Sequence, residues 1–192
     1  MTTAAILLAA GQGSRYDGPT HKLLAEIDGR PLVVHALQSV LEAATAGALD
    51  EVIVVTGAVD LHDVLSPFMG QVALVHNPLF ARGQATSLDR GVRAGRDRGH
   101  NRVVVGLGDQ PFVPPSAWSA VAGSLGPIAV ATYNGRQRNP VLLERSVWPL
   151  LPIDGDEAAR VLLRVRPECV RPVACEGFPD DIDTVEDLRR WS

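Results

Sequence analysis

Three short, wholly apolar runs constrain this chain more than any other feature. Residues 5–9 (Ala-Ile-Leu-Leu-Ala), 52–55 (Val-Ile-Val-Val) and 103–105 (Val-Val-Val) carry no polar position. A strand with one wet face alternates apolar and polar residues, whereas a strand covered on both faces reads as an unbroken apolar run. The first run leads into Gly11 and Gly13, and the third into Gly106 and Gly108. Between the first two runs, Val33, Leu37, Val40, Leu41 and Ala44 share one helical face, which Pro31 can start and Gly47 can stop. Further strands are expected over 72–75, 128–133, 141–143 and 170–173, with a short extended piece over 23–27 turned by Asp28-Gly29. Helical segments are expected over 61–68, after Gly83, over 158–165 and over 185–191. Strand and helix in alternation predict an α/β fold, a mostly parallel sheet of about seven strands with helices on both faces. The adjacent pair around Asn134-Gly135 predicts one antiparallel strand within it.

Composition narrows the function. With 192 residues, 46% of them hydrophobic and 21% charged, the chain reads as one globular domain over 1–192. It has 22 acidic and 18 basic residues, net −4, so it lacks the basic excess of a duplex-binding protein or a polybasic membrane anchor. The apolar runs are far below the ~20 residues of a membrane-spanning helix. Met1-Thr2-Thr3 offers no basic region ahead of the first run, which reads as a strand and not as a signal peptide. The expectation is a cytoplasmic protein with neither nucleic acid nor membrane as partner. Cys169 and Cys175 have no zinc spacing and are expected to be reduced thiols.

Ligands of such sheets bind beyond the carboxyl ends of the strands. Residues 11–15, Asn77 and Gly108-Asp109 each follow a strand and should converge on one rim. Gly11 and Gly13 let a loop present N–H groups to an anion, with Arg15 and Lys22 beside them, as a triphosphate cradle requires. A plain strand-to-helix turn explains the glycines alone equally well. No Gly-Lys-Ser/Thr follows, so the loop is not a Walker A motif, and Tyr16 stands where a dinucleotide fingerprint has its third glycine. Asp109, after the third run, suits a hard cation or an ordinary turn. In Asp180-Asp181-Ile182-Asp183-Thr184, either Asp183 or Thr184 can cap the last helix, and Asp183 can still reach a metal. No Ser/His/Asp or Cys/His arrangement offers a nucleophile. Arg90, Arg93, Arg96, Arg98 and Arg102 read as a solvated face, and Trp118, Trp148 and Trp191 as covers of core edges. No pair of histidines has metal-ligand spacing.

Taken in order along the chain, the motifs resemble those of the MobA-like nucleotidyltransferases, most closely the molybdenum cofactor cytidylyltransferases. They are residues 8–15 (LAAGQGSR), Lys22-Leu23-Leu24, Gly29-Arg30-Pro31-Leu32, His76-Asn77, Gly83-x-x-x-Ser87-Leu88, Gly108-Asp109-Gln110-Pro111, Asn139-Pro140-Val141, Gly155-Asp156-Glu157-x-Ala159-Arg160 and the closing Asp181-Ile182-Asp183-Thr184. Tyr16 departs from a Met common in the family, and the spacing from Arg15 to Lys22 is longer than usual.

The resemblance implies a three-layer Rossmann-like fold of the nucleotide-diphospho-sugar transferase type. It implies transfer of a nucleoside monophosphate, CMP from CTP, to a phosphorylated acceptor such as molybdopterin, with release of pyrophosphate. It implies Mg²⁺ on Asp109 and Asp183, with Arg15, Lys22 and Asp109 catalytic. The nucleotide would be lined by Leu8, Ala9, Ala10, Gly11, Gly13, Ser14, Arg15, Lys22, Asn77, Gly83, Ser87, Gly108 and Asp109. Gln110, Pro111, Asn139, Asp156 and Arg160 would face the acceptor. Guanylyl-transferring relatives read Leu-Ala-Gly-Gly where this chain has a methyl at Ala10, which argues against GTP. A molybdoenzyme or its chaperone is an implied protein partner. Two alternatives stay open at this point: a small NAD(P)H-dependent oxidoreductase, and a non-catalytic module that hands cofactor to a molybdoenzyme.

Overall fold

The computed structural model describes residues 1–191. In chain order its elements begin with β1 (Thr3–Ala9), then β2 (Glu26–Ile27), β3 (Arg30–Pro31) and α1 (Leu32–Thr45). Next come β4 (Glu51–Thr56), α2 (His62–Leu65), β5 (Ala73–His76), α3 (Gln84–Asp97) and β6 (Arg102–Leu107). The chain continues with α4 (Pro115–Ala122), β7 (Ile128–Tyr133), β8 (Arg136–Glu144), α5 (Arg160–Val165), β9 (Val170–Ala174) and α6 (Val185–Arg189). Seven strands form one sheet in the order β5-β4-β1-β6-β8-β7-β9, with β2 and β3 as a separate two-stranded piece. Only β8 runs antiparallel to its neighbours, as the Asn134-Gly135 turn requires.

The unbroken apolar runs arise because this sheet feeds two cores. Along β1, Ala5, Leu7 and Ala9 enter one core with α1 and α4, while Ala4, Ile6 and Leu8 enter the other with α3 and α5. Period-two alternation therefore sends an apolar side chain to each face. A third, smaller cluster packs Ala25, Ile27 and Leu32 against Ile182, with Tyr16, Phe112 and Trp191 around it. It joins the β2–β3 piece to the segment that leads into α6.

The structure departs from the sequence-based expectations in several places. Residues 22–24 form a 3₁₀ turn and not the start of an extended piece, because His21 caps that turn through its side chain. Only two residues of that region pair as a strand, closed by Asp28 and Gly29 at φ 51° and 72°. The helix α4 is not announced by periodicity, being eight residues long with prolines at its start. Trp118 on α4 is a core residue, 2% exposed, and not a cover of the core edge. Trp118 also explains Gly106: a Cβ there would lie 2.5 Å from its ring. The arginines after residue 89 are mostly paired on the surface, Arg93 with Asp89 and Arg98 with Glu51, whereas Arg102 is largely buried and donates to the Ser124 carbonyl. Cys169 and Cys175 are free. Among the described residues, no helix is long and apolar enough to cross a membrane.

Gly106→Ala is expected to destabilise the fold by about 1–3 kcal/mol, since the rigid indole cannot yield to the added methyl. Urea denaturation checks this, and a variant as stable as the parent would contradict the packing described.

Candidate active site

β1 is the topological switch of the sheet. Its crossover through α1 leads to β4 on one side, and β6 pairs with it on the other. A crevice opens where connections diverge in this way, and here it opens beyond Ala9 and Leu107. The loop after β1 enters it. Gly13 holds φ 63°, and Tyr16 N–H donates to its carbonyl at 2.9 Å to close a turn. His21 fixes the same loop from the other end. Its Nδ1 accepts from Leu23 N–H, leaving Nε2 to donate to the Gly11 carbonyl at 3.1 Å. Burial pushes the His21 imidazole pKa down, while its bonds to Gly11 and Gln12 push it up and the Lys22 charge again pushes it down.

Lys22 is thereby placed in the crevice with its side chain 9% exposed. Its Nζ donates to Asp109 Oδ2 at 2.6 Å and to Asp183 Oδ1 at 2.9 Å. Arg15, 75% exposed, reaches the other oxygen of Asp183 at 2.9 Å. Burial alone would lower the Lys22 pKa, but the Asp109 and Asp183 carboxylates outweigh it and hold the ammonium charged. Thr184 caps α6 in a capping box with Asp187, so the Asp183 side chain is not used as a cap. Ile182 N–H donates to the Asp109 carbonyl at 3.1 Å, tying the two carboxylate-bearing segments together.

Gln110 reinforces that tie. Its Nε2 donates to the Pro179 carbonyl and to Asp181 Oδ1, and its Oε1 accepts from Asn139 Nδ2 at 3.1 Å. Asp181 is half-buried. Burial and the charges of Asp109 and Asp183 raise its pKa against the Gln110 hydrogen bond.

Two cavities flank this centre. One, about 330 Å³, is walled by the glycine loop, Lys22, Phe80, Ser87, Asp109 and Asp156. The other, about 320 Å³, has an apolar floor that includes Leu88, Val141 and Leu163, beneath a rim with Gln110, Arg138, Asn139 and Arg160.

Most of the residues expected to line a nucleotide meet in the first cavity: Leu8, Ala9, Ala10, Gly11, Gly13, Ser14, Lys22, Gly83, Ser87 and Asp109. Asn77 does not. It is 2% exposed behind the wall, donates to Thr86 Oγ1 and Ser87 Oγ at 2.9 Å each, and so positions Ser87. Arg15 and Gly108 also lie outside that lining; Gly108 N–H holds the Leu8 carbonyl at 2.9 Å. On the acceptor side, Gln110, Asn139 and Arg160 line the second cavity, whereas Pro111 does not. Asp156 belongs to the first cavity, where its Oδ1 accepts from Gln84 N–H at the start of α3. Sequence reasoning missed His21, Gln84, Arg138 and Asp181. Of these only Asp181 carried a signal, as the first residue of the Asp-Ile-Asp-Thr motif.

The MobA-like NTP transferase domain matches residues 5–171. The chain belongs to that family. The bifunctional protein GlmU of Sphingopyxis alaskensis is 34% identical over 123 residues, which are 64% of this chain and 26% of GlmU. The chain thus spans about a quarter of that protein's length. The purine catabolism protein PucB of Bacillus subtilis is 28% identical over 202 residues, covering 95% of this chain and 92% of PucB. Among solved structures, a nucleotidyl transferase from Methanothermobacter thermautotroptrophicus superposes with a TM-score of 0.81 at 25% identity, over 98% of this chain and 95% of that one. The sheet with its one antiparallel strand is the nucleotidyltransferase fold.

Gln110→Leu removes the buried amide that donates to the half-buried Asp181 carboxylate and is expected to cost about 1–3 kcal/mol. Equilibrium unfolding would show it, and an unchanged midpoint would mean that Gln110 does not hold the Asp109 and Asp183 segments together.

Proposed function

We propose that the protein is a Mg²⁺-dependent nucleotidyltransferase that moves CMP from CTP to the phosphate of a molybdopterin-type acceptor and releases pyrophosphate. The observation that carries this reading is the Lys22–Asp109–Asp183 centre beside two cavities of substrate size, the first lined by Lys22 and Asp109 and the second by the neighbouring Gln110 and Asp181. One cavity suits a nucleotide, because the 11–14 loop offers backbone N–H groups to phosphates and Lys22 adds a fixed positive charge. The methyl of Ala10, which lines that cavity, would narrow a base slot there and so favour a pyrimidine. The other suits a flat heterocycle bearing an anion. Its apolar floor would cover a ring face, its amides would bond a ring edge, and Arg138 and Arg160 would meet phosphate. A polyol would leave that floor unused.

The residues present fit a divalent cation. Asp109 and Asp183 converge on a single positive centre, here the Lys22 ammonium. With Asp181 beside them, the carboxylates outnumber the two cations, Lys22 and Arg15, and the raised Asp181 pKa, due first to burial and then to its acidic neighbours, fits that excess. Among the described residues no cluster of three His, Cys, Asp or Glu could hold a metal alone. Two carboxylates completed by substrate phosphates is the usual Mg²⁺ arrangement. Asp109 and Asp183 would hold the ion, which when bound neutralises phosphate charge.

No nucleophile from the protein is needed. The acceptor phosphate, with a second pKa of about 6, is already largely dianionic at neutral pH. The protein's task is placement and charge compensation. The glycine loop orients the triphosphate, Lys22 and Arg15 offset charge on the departing pyrophosphate, and the second cavity aims the acceptor oxygen at the α-phosphorus.

Two outcomes test the reading. Asp109→Ala should reduce pyrophosphate release from CTP by about 10²-fold or more while the circular dichroism spectrum stays that of the parent; full activity would overturn the assignment of Asp109. Ala10→Gly should shift nucleotide preference toward GTP by about tenfold, measured as the ratio of kcat/KM values. An unaltered ratio would remove Ala10 from base selection.

A further inference from the structure

The two cavities share only Leu8, Gln84 and Leu107. Leu8 and Leu107 are register partners on β1 and β6, and they form an apolar sill between the cavities. Gln84 is the one polar residue common to both walls. Its backbone is pinned from two directions. Gln84 N–H donates to Asp156 Oδ1 at 3.3 Å, and the adjoining Ala85 N–H donates to the Gly155 carbonyl at 2.8 Å. Gly155 N–H in turn donates to the Arg82 carbonyl at 3.0 Å, and Arg82 pairs with Asp154. Gly83 permits this close approach: it holds φ 108°, and a side chain there would run into the Gly155 backbone. The carboxamide of Gln84, by contrast, has no hydrogen-bond partner among the described residues. A rigidly placed residue therefore offers a free amide to the boundary between the two cavities.

We propose that Gln84 is a catalytic residue whose side-chain amide bridges the two substrates, donating to a non-bridging oxygen of the α-phosphoryl group as the acceptor approaches. The proposal rests on the reading of the cavities as nucleotide and acceptor sites. In the transfer, an acceptor phosphate oxygen forms a bond to the α-phosphorus while the bond to the β-phosphate oxygen breaks, and pyrophosphate leaves with that electron pair. No proton need move. Charge on the α-phosphoryl oxygens must be met where the cavities join, and Leu8 and Leu107 cannot meet it. A neutral donor is suited to that place, because it stabilises a phosphoryl oxygen without holding the acceptor dianion too tightly. A carboxylate of the same size would repel both substrates.

The experiment compares the parent with Gln84→Leu and Gln84→Glu in three measurements: thermal unfolding, CTP–Mg²⁺ binding by calorimetry, and steady-state turnover with molybdopterin. Because the free amide supports nothing in the fold, both variants should keep the parent's melting temperature. Q84L should bind CTP within about twofold of the parent yet lose about 10²-fold in kcat. Q84E should lose more in kcat and also bind CTP more weakly. A parent that turns over while Q84L matches it in kcat would overturn the role of Gln84 and leave the proposed function standing. Loss of kcat accompanied by a lowered melting temperature in both variants would likewise overturn it, in favour of a structural role. A parent that binds CTP but never consumes it with acceptor present would overturn the underlying reading and this inference with it.

Discussion

The buried ammonium of Lys22 between two carboxylates is the interaction on which the site depends. Asp109 follows β6 and Asp183 precedes α6, far apart in the chain, yet both point at one atom. Two carboxylates so close repel strongly where water is scarce, and Asp181 adds a third nearby. Lys22 resolves that conflict at the cost of desolvating its own charge. In the proposed reading a divalent cation would take the place of the ammonium between the two carboxylates and leave the lysine to phosphate.

The sheet explains why these groups meet. β1 lies between β4 and β6, and its crossover departs away from β6, so the loops beyond Ala9 and Leu107 diverge and leave a crevice. Both faces of β1 are covered, so its end can shift little. The Ile182–Asp109 backbone bond and the Gln110 bonds to Pro179 and Asp181 draw the last segment of the chain over that crevice. A cavity forms on each side of Leu8 and Leu107, and the reaction proposed needs such a boundary.

Much of this was legible in the sequence because it rests on local signals. The apolar runs over 5–9, 52–55 and 103–105 announced β1, β4 and β6, and Asn134-Gly135 announced the antiparallel strand. The rim position of Asp109 followed from the strand before it. What was not legible depends on tertiary packing. α4 is too short for a period to declare itself, and only the contact of Trp118 with Gly106 shows that it belongs to the core. Asn77 follows a strand as a ligand-binding residue would, but Thr86 and Ser87 claim its amide and place it behind the wall. Asp156 was expected to face the acceptor, but its bond to the first turn of α3 places it in the cavity walled by the glycine loop. His21 and Gln84 had no motif at all: each matters through a loop that folds back onto it.

The central claim is that the two cavities hold a nucleoside triphosphate and a phosphorylated heterocycle in line across Leu8 and Leu107. The most direct test is ³¹P NMR of CTP, Mg²⁺ and purified molybdopterin with the intact protein. The account predicts that the β-phosphate triplet of CTP decays together with the acceptor monophosphate signal, while free pyrophosphate and a new pair of diphosphate resonances grow in equal amounts. Persistence of both starting signals with folded protein would contradict it.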